Sequence, residues 1–299
     1  MSKHAYCILA HNEPEVFAKL ITAIDYPEND IYVHVDRSAN IKLFDSVRCN
    51  FSRLLFIKNR ITCRWGTFSI VEAELTLLKE ALNNGEYSYL HLLSGVDLPL
   101  KVQAYIHSFF DCENPGKNFI GFSPRESTLS SIRDKTSRYH LFIHRPDGSL
   151  IASLTNRLNV FSVKTQAFFH ICRNSSSCIY KGPQWFSITK SFCAYLLTQE
   201  DEIRHRFRFT RCPDEMFVQT IFAASSYKDT LYSPDGGEFE QCMREIDWQR
   251  GNPYTWRTGD FSILRNSKKL FARKFSSKDI RIVDEIIDHY SNSIQFRKE

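Results

Sequence analysis

An α/β fold, a doubly wound and mostly parallel sheet flanked by helices, is what this 299-residue sequence predicts. Strand and helix patterns alternate through the first hundred residues, the arrangement that a parallel sheet with crossover helices requires. A 42% hydrophobic and 24% charged composition supplies a full core without any run long enough to span a membrane. No internal repeat or low-complexity tract interrupts the pattern, so one domain over residues 1–299 is expected. Residues 1–115 and residues 116–299 would form its two halves.

Residues 5–10 (AYCILA) read as a buried strand, and residues 13–24 as an amphipathic helix ended by Tyr26-Pro27. Residues 31–35 form a second strand ending on Asp36, and residues 54–57 a short third one. Residues 67–83 predict a long helix with Ile70, Val71, Leu75, Leu78 and Leu82 on its apolar side, and residues 87–93 a fourth strand stopping at Ser94-Gly95. Between 118 and 180 the periodicity weakens, and irregular, substrate-facing segments are expected there, with Pro146-Asp147-Gly148 a turn. Regular patterns return as a strand at 184–188 and helices at 190–199, 213–223, 258–266 and 278–292.

The net charge of +5 is too mild to call for a nucleic-acid partner. Nine cysteines, odd in number and without a CxxC pair, signal neither a disulfide framework nor a zinc site and fit a reducing compartment. The start, Met1-Ser2-Lys3-His4, runs at once into a short apolar stretch and then His11-Asn12-Glu13-Pro14, unlike a signal peptide. A cytoplasmic protein is expected, at most peripheral to the inner face of the plasma membrane.

Ligands of parallel sheets gather beyond the carboxyl ends of the strands. Three such ends are legible: Ala10-His11-Asn12, His34-Val35-Asp36 and Ser94-Gly95-Val96-Asp97. Asp36 stands 26 residues after Ala10, near the spacing at which such folds place an acid on a ribose, although Asp is also an ordinary turn former. No glycine precedes Gly66 and no GxxxxGK[ST] occurs, which excludes a glycine-rich phosphate loop. Asp-x-Asp is absent too. The looser pairs Glu28/Asp30, Asp111/Glu113 and Glu245/Asp247 read as turns or surface pairs, so no metal site is expected. Arginine and lysine must then balance any bound diphosphate. Residues 204–211 hold four arginines among aromatics, and residues 265–281 hold seven basic residues against Asp279 alone. Most of these belong to solvated faces, but Lys274 is flanked by apolar residues, and a half-buried lysine needs an anionic partner. Pro213-Asp214-Glu215 opens an apolar helix; acids there are ordinary helix-start residues, and a carboxylate facing a pocket could also act as a general base.

Tyr6 to His11, IYVHVD ending at Asp36, Trp65-Gly66, SGVDLPLK from Ser94, GPQWFSIT from Gly182, Pro213-Asp214-Glu215 and LFARKF from Leu270 occur together in one order. That ordered set, spanning about residues 4 to 276, resembles glycosyltransferase family 14, the core-2/I-branching β-1,6-N-acetylglucosaminyltransferases and peptide O-xylosyltransferases. The chain is shorter than the animal members and looks like a bacterial one. The resemblance implies a GT-A-like fold and inverting, metal-independent transfer from a UDP-sugar to a glycan or lipid-linked oligosaccharide, as in surface polysaccharide synthesis, with no cofactor. Glu215 matches the family's base and Lys274 its diphosphate lysine, with Asp36 beside the uridine and His11 lining the nucleotide. Arg250 is the first choice for the second diphosphate cation and Arg244 the second. Ser94, Asp97, Trp185 and Asp214 are expected around the donor and acceptor pockets. A non-catalytic carbohydrate- or nucleotide-binding protein and an NAD-dependent oxidoreductase are the alternatives. The 204–211 segment or the C-terminal helix is the expected contact with an anionic membrane.

Overall fold

The computed structural model describes residues 2–143, 149–174 and 178–295, and the expected turn at Pro146-Asp147-Gly148 lies outside them. Its centre is a six-stranded sheet in the order β3-β2-β1-β4-β7-β6. β1 (His4–Ala10), β2 (Asn29–Val35), β3 (Arg53–Phe56) and β4 (Tyr89–Ser94) run parallel, and β7 (Phe186–Thr189) and β6 (Phe119–Ile120) close the edge antiparallel. β1 is buried on both faces: Ala5 and Cys7 point into one apolar cluster, Tyr6, Ile8 and Ala10 into the other, the period-2 alternation of a central strand. The two clusters lie on opposite faces of the sheet, which makes the architecture doubly wound.

α1 (Pro14–Ile24) covers one face by burying Val16, Phe17, Leu20, Ile21 and Ile24, a helical spacing worth about 1.5–3 kcal/mol per side chain. α11 (Ile280–Gln295) packs on the same face through Ile282, Val283 and Ile286. α2 (Ser69–Asn84) covers the opposite face together with α6 (Lys190–Thr198), α7 (Glu200–Phe207) and α8 (Phe217–Ala224). The first four strands and their helices thus stand where the sequence places them, with ends shifted by one or two residues.

Two features depart from expectation. A separate three-stranded sheet, β5 (Asp97–Pro99), β9 (Phe271–Arg273) and β8 (Arg244–Ile246), brings the LFARKF segment against SGVDLPLK, pairing Asp97 with Arg273. The stretch expected to be irregular carries two helices, α4 (Arg125–Thr136) and the nineteen-residue α5 (Leu150–Phe168). Both are largely exposed, so neither shows the one-sided burial that marks a core helix.

Candidate active site

The parallel strands end at one edge, and there the chain opens a cleft of about 690 Å³ lined by Asn12, Glu13, Trp256, Arg257 and Lys274 and by the Lys278–Arg281 turn. Glu13 precedes α1 in a left-handed conformation, φ 54°. Its carboxylate accepts hydrogen bonds from Ser276 Oγ (2.8 Å), Ser277 N (2.8 Å) and Ser277 Oγ (2.6 Å) and thereby ties down the loop after Lys274. Burial opposes its charge, but those bonds outweigh burial and hold Glu13 below the usual carboxylate range. Asp279 accepts from Thr258 N and Oγ1 at 3.0 and 2.7 Å. Both acids are thus occupied by loop donors, while Arg257, Lys274, Lys278 and Arg281 contribute cations to the same walls. The Lys274 backbone is fixed as well, its carbonyl accepting from Trp256 N at 3.0 Å.

The two arginines expected as diphosphate cations do not line this cleft. Arg250 is held by Asp247 (2.5 Å) and Asp260 (2.7 Å) and stacks on Tyr254 and Trp256, its guanidinium 4.0 and 5.3 Å from their ring centres. Hydrogen bonds donated to these two carboxylates, Asp260 first, push its pKa further up. Arg244 is fully buried in β8, bonded to the Cys242 and Phe186 carbonyls and to Ser187 Oγ over the Phe271 ring, and burial lowers it to about 10. Neither lines the cleft, whereas Arg257 does, seven residues beyond Arg250. Asp36 also serves the loops: Oδ1 accepts from Ser38 N and Oγ (2.7 and 2.6 Å) and Oδ2 from Cys63 N (2.8 Å). Burial would raise it, but these donors and nearby His11 win, and its pKa falls. His11 itself is exposed at the strand end.

Ser94, Asp97 and Trp185 converge through a residue the sequence reading left unassigned. Asp97 accepts from Ser94 N at 2.8 Å and from Arg273 Nη1 at 2.7 Å, and the Arg273 guanidinium sits 4.2 Å from the Trp185 ring centre. Burial raises Asp97 despite the Arg273 charge. This chain joins the two sheets immediately before Lys274.

Glu215 ends a one-turn 3-10 segment, Pro213–Glu215, entered through Cys212 at φ 51°. Cys212 N donates to the carbonyl of Gly66, itself at φ 73°, so the Trp65-Gly66 pair positions the turn. The Glu215 carboxylate is partly exposed and faces Lys135 Nζ at 2.9 Å and Lys181 Nζ at 3.5 Å. Burial alone would depress the Lys135 ammonium; the Glu215 carboxylate outweighs it and raises the pKa. Asp214 turns inward: burial, then the Glu215 charge, raises it to about 7, and its Oδ1 has no partner among the described residues. Behind it lies Glu74, fully buried, driven well above the carboxylate range by burial and by Asp214, and bonded to Gln184 Nε2 at 2.6 Å. Gly182 N donates to the Glu215 carbonyl at 2.9 Å. Residues 181–185 therefore run from Glu215 to Trp185 and Arg273, linking the carboxylate to the cationic cleft.

Lys135, Lys181, Glu74, Arg257 and Arg273 are the site residues missed in the sequence. Glu74 had a signal, since with Val71, Leu75 and Leu78 it occupies the i, i+3, i+4, i+7 stripe where an acid is out of place. Lys135 lay in the stretch without visible pattern. One group among the described residues could gather around a cation, His4, His107 and Asp111, but it lies at the amino end of β1, away from the cleft. Burial lowers His107 to about 4, and Asp111 already accepts from Ser2 and Ser88.

Comparison with known proteins shows the family. A family model described as "Core-2/I-Branching enzyme" matches residues 4–271. The human "Probable beta-1,3-galactosyl-O-glycosyl-glycoprotein beta-1,6-N-acetylglucosaminyltransferase 7" is 25% identical over 292 positions, 91% of this chain and 64% of that protein. Rat "Xylosyltransferase 2" is 24% identical over 306 positions, 96% of this chain and 33% of the relative. The chain therefore spans between a third and two thirds of the length of these relatives. With the family model covering most of its length, the chain belongs to the Core-2/I-branching enzyme family.

Proposed function

We propose that the chain is an inverting glycosyltransferase that moves a sugar, N-acetylglucosamine or xylose, from a UDP-sugar to a hydroxyl of a glycan acceptor without a metal ion. The observation that carries this reading is the cleft in which Lys274 and Arg257 line the walls while both acids are occupied by loop hydrogen bonds. A diphosphate leaving group is an oxyanion that such fixed cations stabilise, with the planar guanidinium suited to two phosphate oxygens at once. Glu215 takes the proton of the attacking hydroxyl as its oxygen bonds to the anomeric carbon. The bond from that carbon to the diphosphate breaks on the opposite face, and UDP departs with the electron pair. The names of the two relatives, an N-acetylglucosaminyltransferase and a xylosyltransferase, support the two donor sugars. A lipid-linked acceptor in surface polysaccharide synthesis would suit a bacterial member.

Transfer and donor hydrolysis, assayed with UDP-N-acetylglucosamine and UDP-xylose in excess EDTA, test the reading. Wild type should turn over one donor, and Glu215→Gln should fall by about 100- to 10,000-fold. Activity that appears only when manganese is restored, or a Glu215→Gln variant near wild-type rate, would refute it.

A further inference from the structure

Helix α5 is amphipathic in the reverse sense. Of its nineteen residues only Ala152 and Gln166 are buried, and polar groups hold it to the protein. Gln166 accepts from Tyr139 N at 2.8 Å and donates to Tyr139 O at 2.9 Å, while Asn159 Nδ2 lies 3.2 Å from His140 Nδ1. Leu150, Leu154, Phe161 and Phe168, at i, i+4, i+11 and i+18, form one stripe on the far side, 89%, 61%, 71% and 77% exposed. Ile151, Leu158 and Phe169 widen it to roughly 100° of the helix circumference. Leu141, Phe142 and Ile171, in the segments that flank the helix in the sequence, are exposed as well. A continuous patch of this kind on a folded chain marks a place where something docks.

Charge selects the occupant. From Ser149 to Gln199 the sequence contains no Asp or Glu, and Arg157 and Lys164 are exposed along one border of the stripe. The alternative segments are engaged otherwise. Arg204 pairs with Glu72 and Glu200, Arg206 with Glu202, and α11 buries Ile282, Val283 and Ile286 in the core. No described helix is long and apolar enough to cross a bilayer. A helix about 28 Å long with an outward apolar stripe and bordering cations has the form of an element that lies in the plane of a lipid surface.

We propose that α5 docks the protein on an anionic membrane, sinking Leu154, Phe161 and Phe168 among the acyl chains while Arg157 and Lys164 meet the lipid phosphates. The attachment runs through the segment that follows α4, which carries Lys135 and so reaches Glu215. Docking would therefore hold the Glu215 side of the molecule near the lipid. This inference stands independently of the transfer chemistry.

Flotation of the full chain with vesicles of equimolar phosphatidylcholine and phosphatidylglycerol, against phosphatidylcholine alone, reads the proposal directly. Wild type should float with the anionic vesicles and lose binding as salt rises. Leu154→Ser/Phe161→Ser/Phe168→Ser should weaken partitioning by about tenfold or more, and Arg157→Gln/Lys164→Gln by several-fold. Because these side chains project outward, both variants should keep the wild-type melting temperature. A Phe161→Trp probe should shift to the blue on adding anionic vesicles. Wild type that stays with the buffer, or a triple serine variant that floats unchanged, would overturn the proposal. So would self-association abolished by the serine substitutions in a protein that ignores lipid, since a second copy would then be the occupant.

Discussion

Asp214 and Glu215 are neighbours in one short turn, yet they meet opposite surroundings. Glu215 faces two ammonium groups, whereas Asp214 points into the protein, where burial and the adjacent charge lift it to about 7. A carboxyl whose folded value lies above its unfolded value near 4 contributes stability fully at low pH. That contribution is lost as pH rises through 7, because the buried group must ionise. Asp214→Asn, which stays neutral, should therefore gain on wild type between pH 4 and pH 8, by no more than about 4 kcal/mol. Urea unfolding across that range checks it, and parallel stability curves for the two proteins would contradict the buried ionisation. The arginines differ in a comparable way. Arg250 is held by Asp247 and Asp260, while Arg257 lines the cleft with Lys274. Arg257→Ala should therefore weaken UDP binding about tenfold or more, the range expected when a charge-assisted bond to phosphate is lost. Arg250→Ala should chiefly lower the melting temperature, and titration calorimetry with UDP separates the two effects.

At the scale of elements, the strands and helices of the first hundred residues were legible because each buries an apolar face whose period matches its geometry. The region from 118 to 180 was not. α4 is polar on most sides, and α5 does carry apolar residues at helical spacing, but their stripe faces away from the core, so its periodicity does not pair with a buried partner. Single residues were legible only where their chemistry had no structural competitor. Lys274, flanked by apolar neighbours, lines the cleft, whereas Arg244, set among acids, is consumed by the carbonyl of Cys242 and by that of Phe186, 58 residues back along the chain. Nothing local announces such a contact. The GPQW segment shows how an element couples fold to site. A Cβ on Gly182 would lie 1.9 Å from the carbonyl oxygen of Gly121, a backbone atom that cannot swing aside. Gly182→Ala must therefore displace the loop whose amide holds Glu215, at a cost of about 1–3 kcal/mol. The midpoint of urea unfolding should fall with an unchanged slope, and turnover should drop alongside it. Unaltered turnover at lowered stability would mean that the loop yields without moving Glu215.

Over the whole molecule, the cationic cleft and the Glu215 carboxylate occupy separate stations. The cleft is built from the carboxyl edge of the parallel strands and from the segment after the small sheet, while Glu215 hangs on the turn between α7 and α8. Residues 181–185 and the Arg273 stack connect them without merging them. Binding and turnover should then separate by mutation. UDP that binds only the folded chain stabilises it by about 2.7 kcal/mol at a hundredfold excess over its dissociation constant. For a chain of this size that raises the melting temperature by roughly 4 °C. Glu215→Gln should keep the full shift while losing turnover, and the triple serine variant of α5 should keep it as well. Lys274→Ala and Arg257→Ala should each lose about half of it or more, because either substitution removes a cation from the anion's cradle. NAD should shift none of them, since the first strand runs into His11-Asn12-Glu13 without a glycine to seat a dinucleotide. A UDP shift that survives both cation substitutions would place the diphosphate elsewhere. One that vanishes in Glu215→Gln would mean that the carboxylate belongs to the donor site and that the two stations are one.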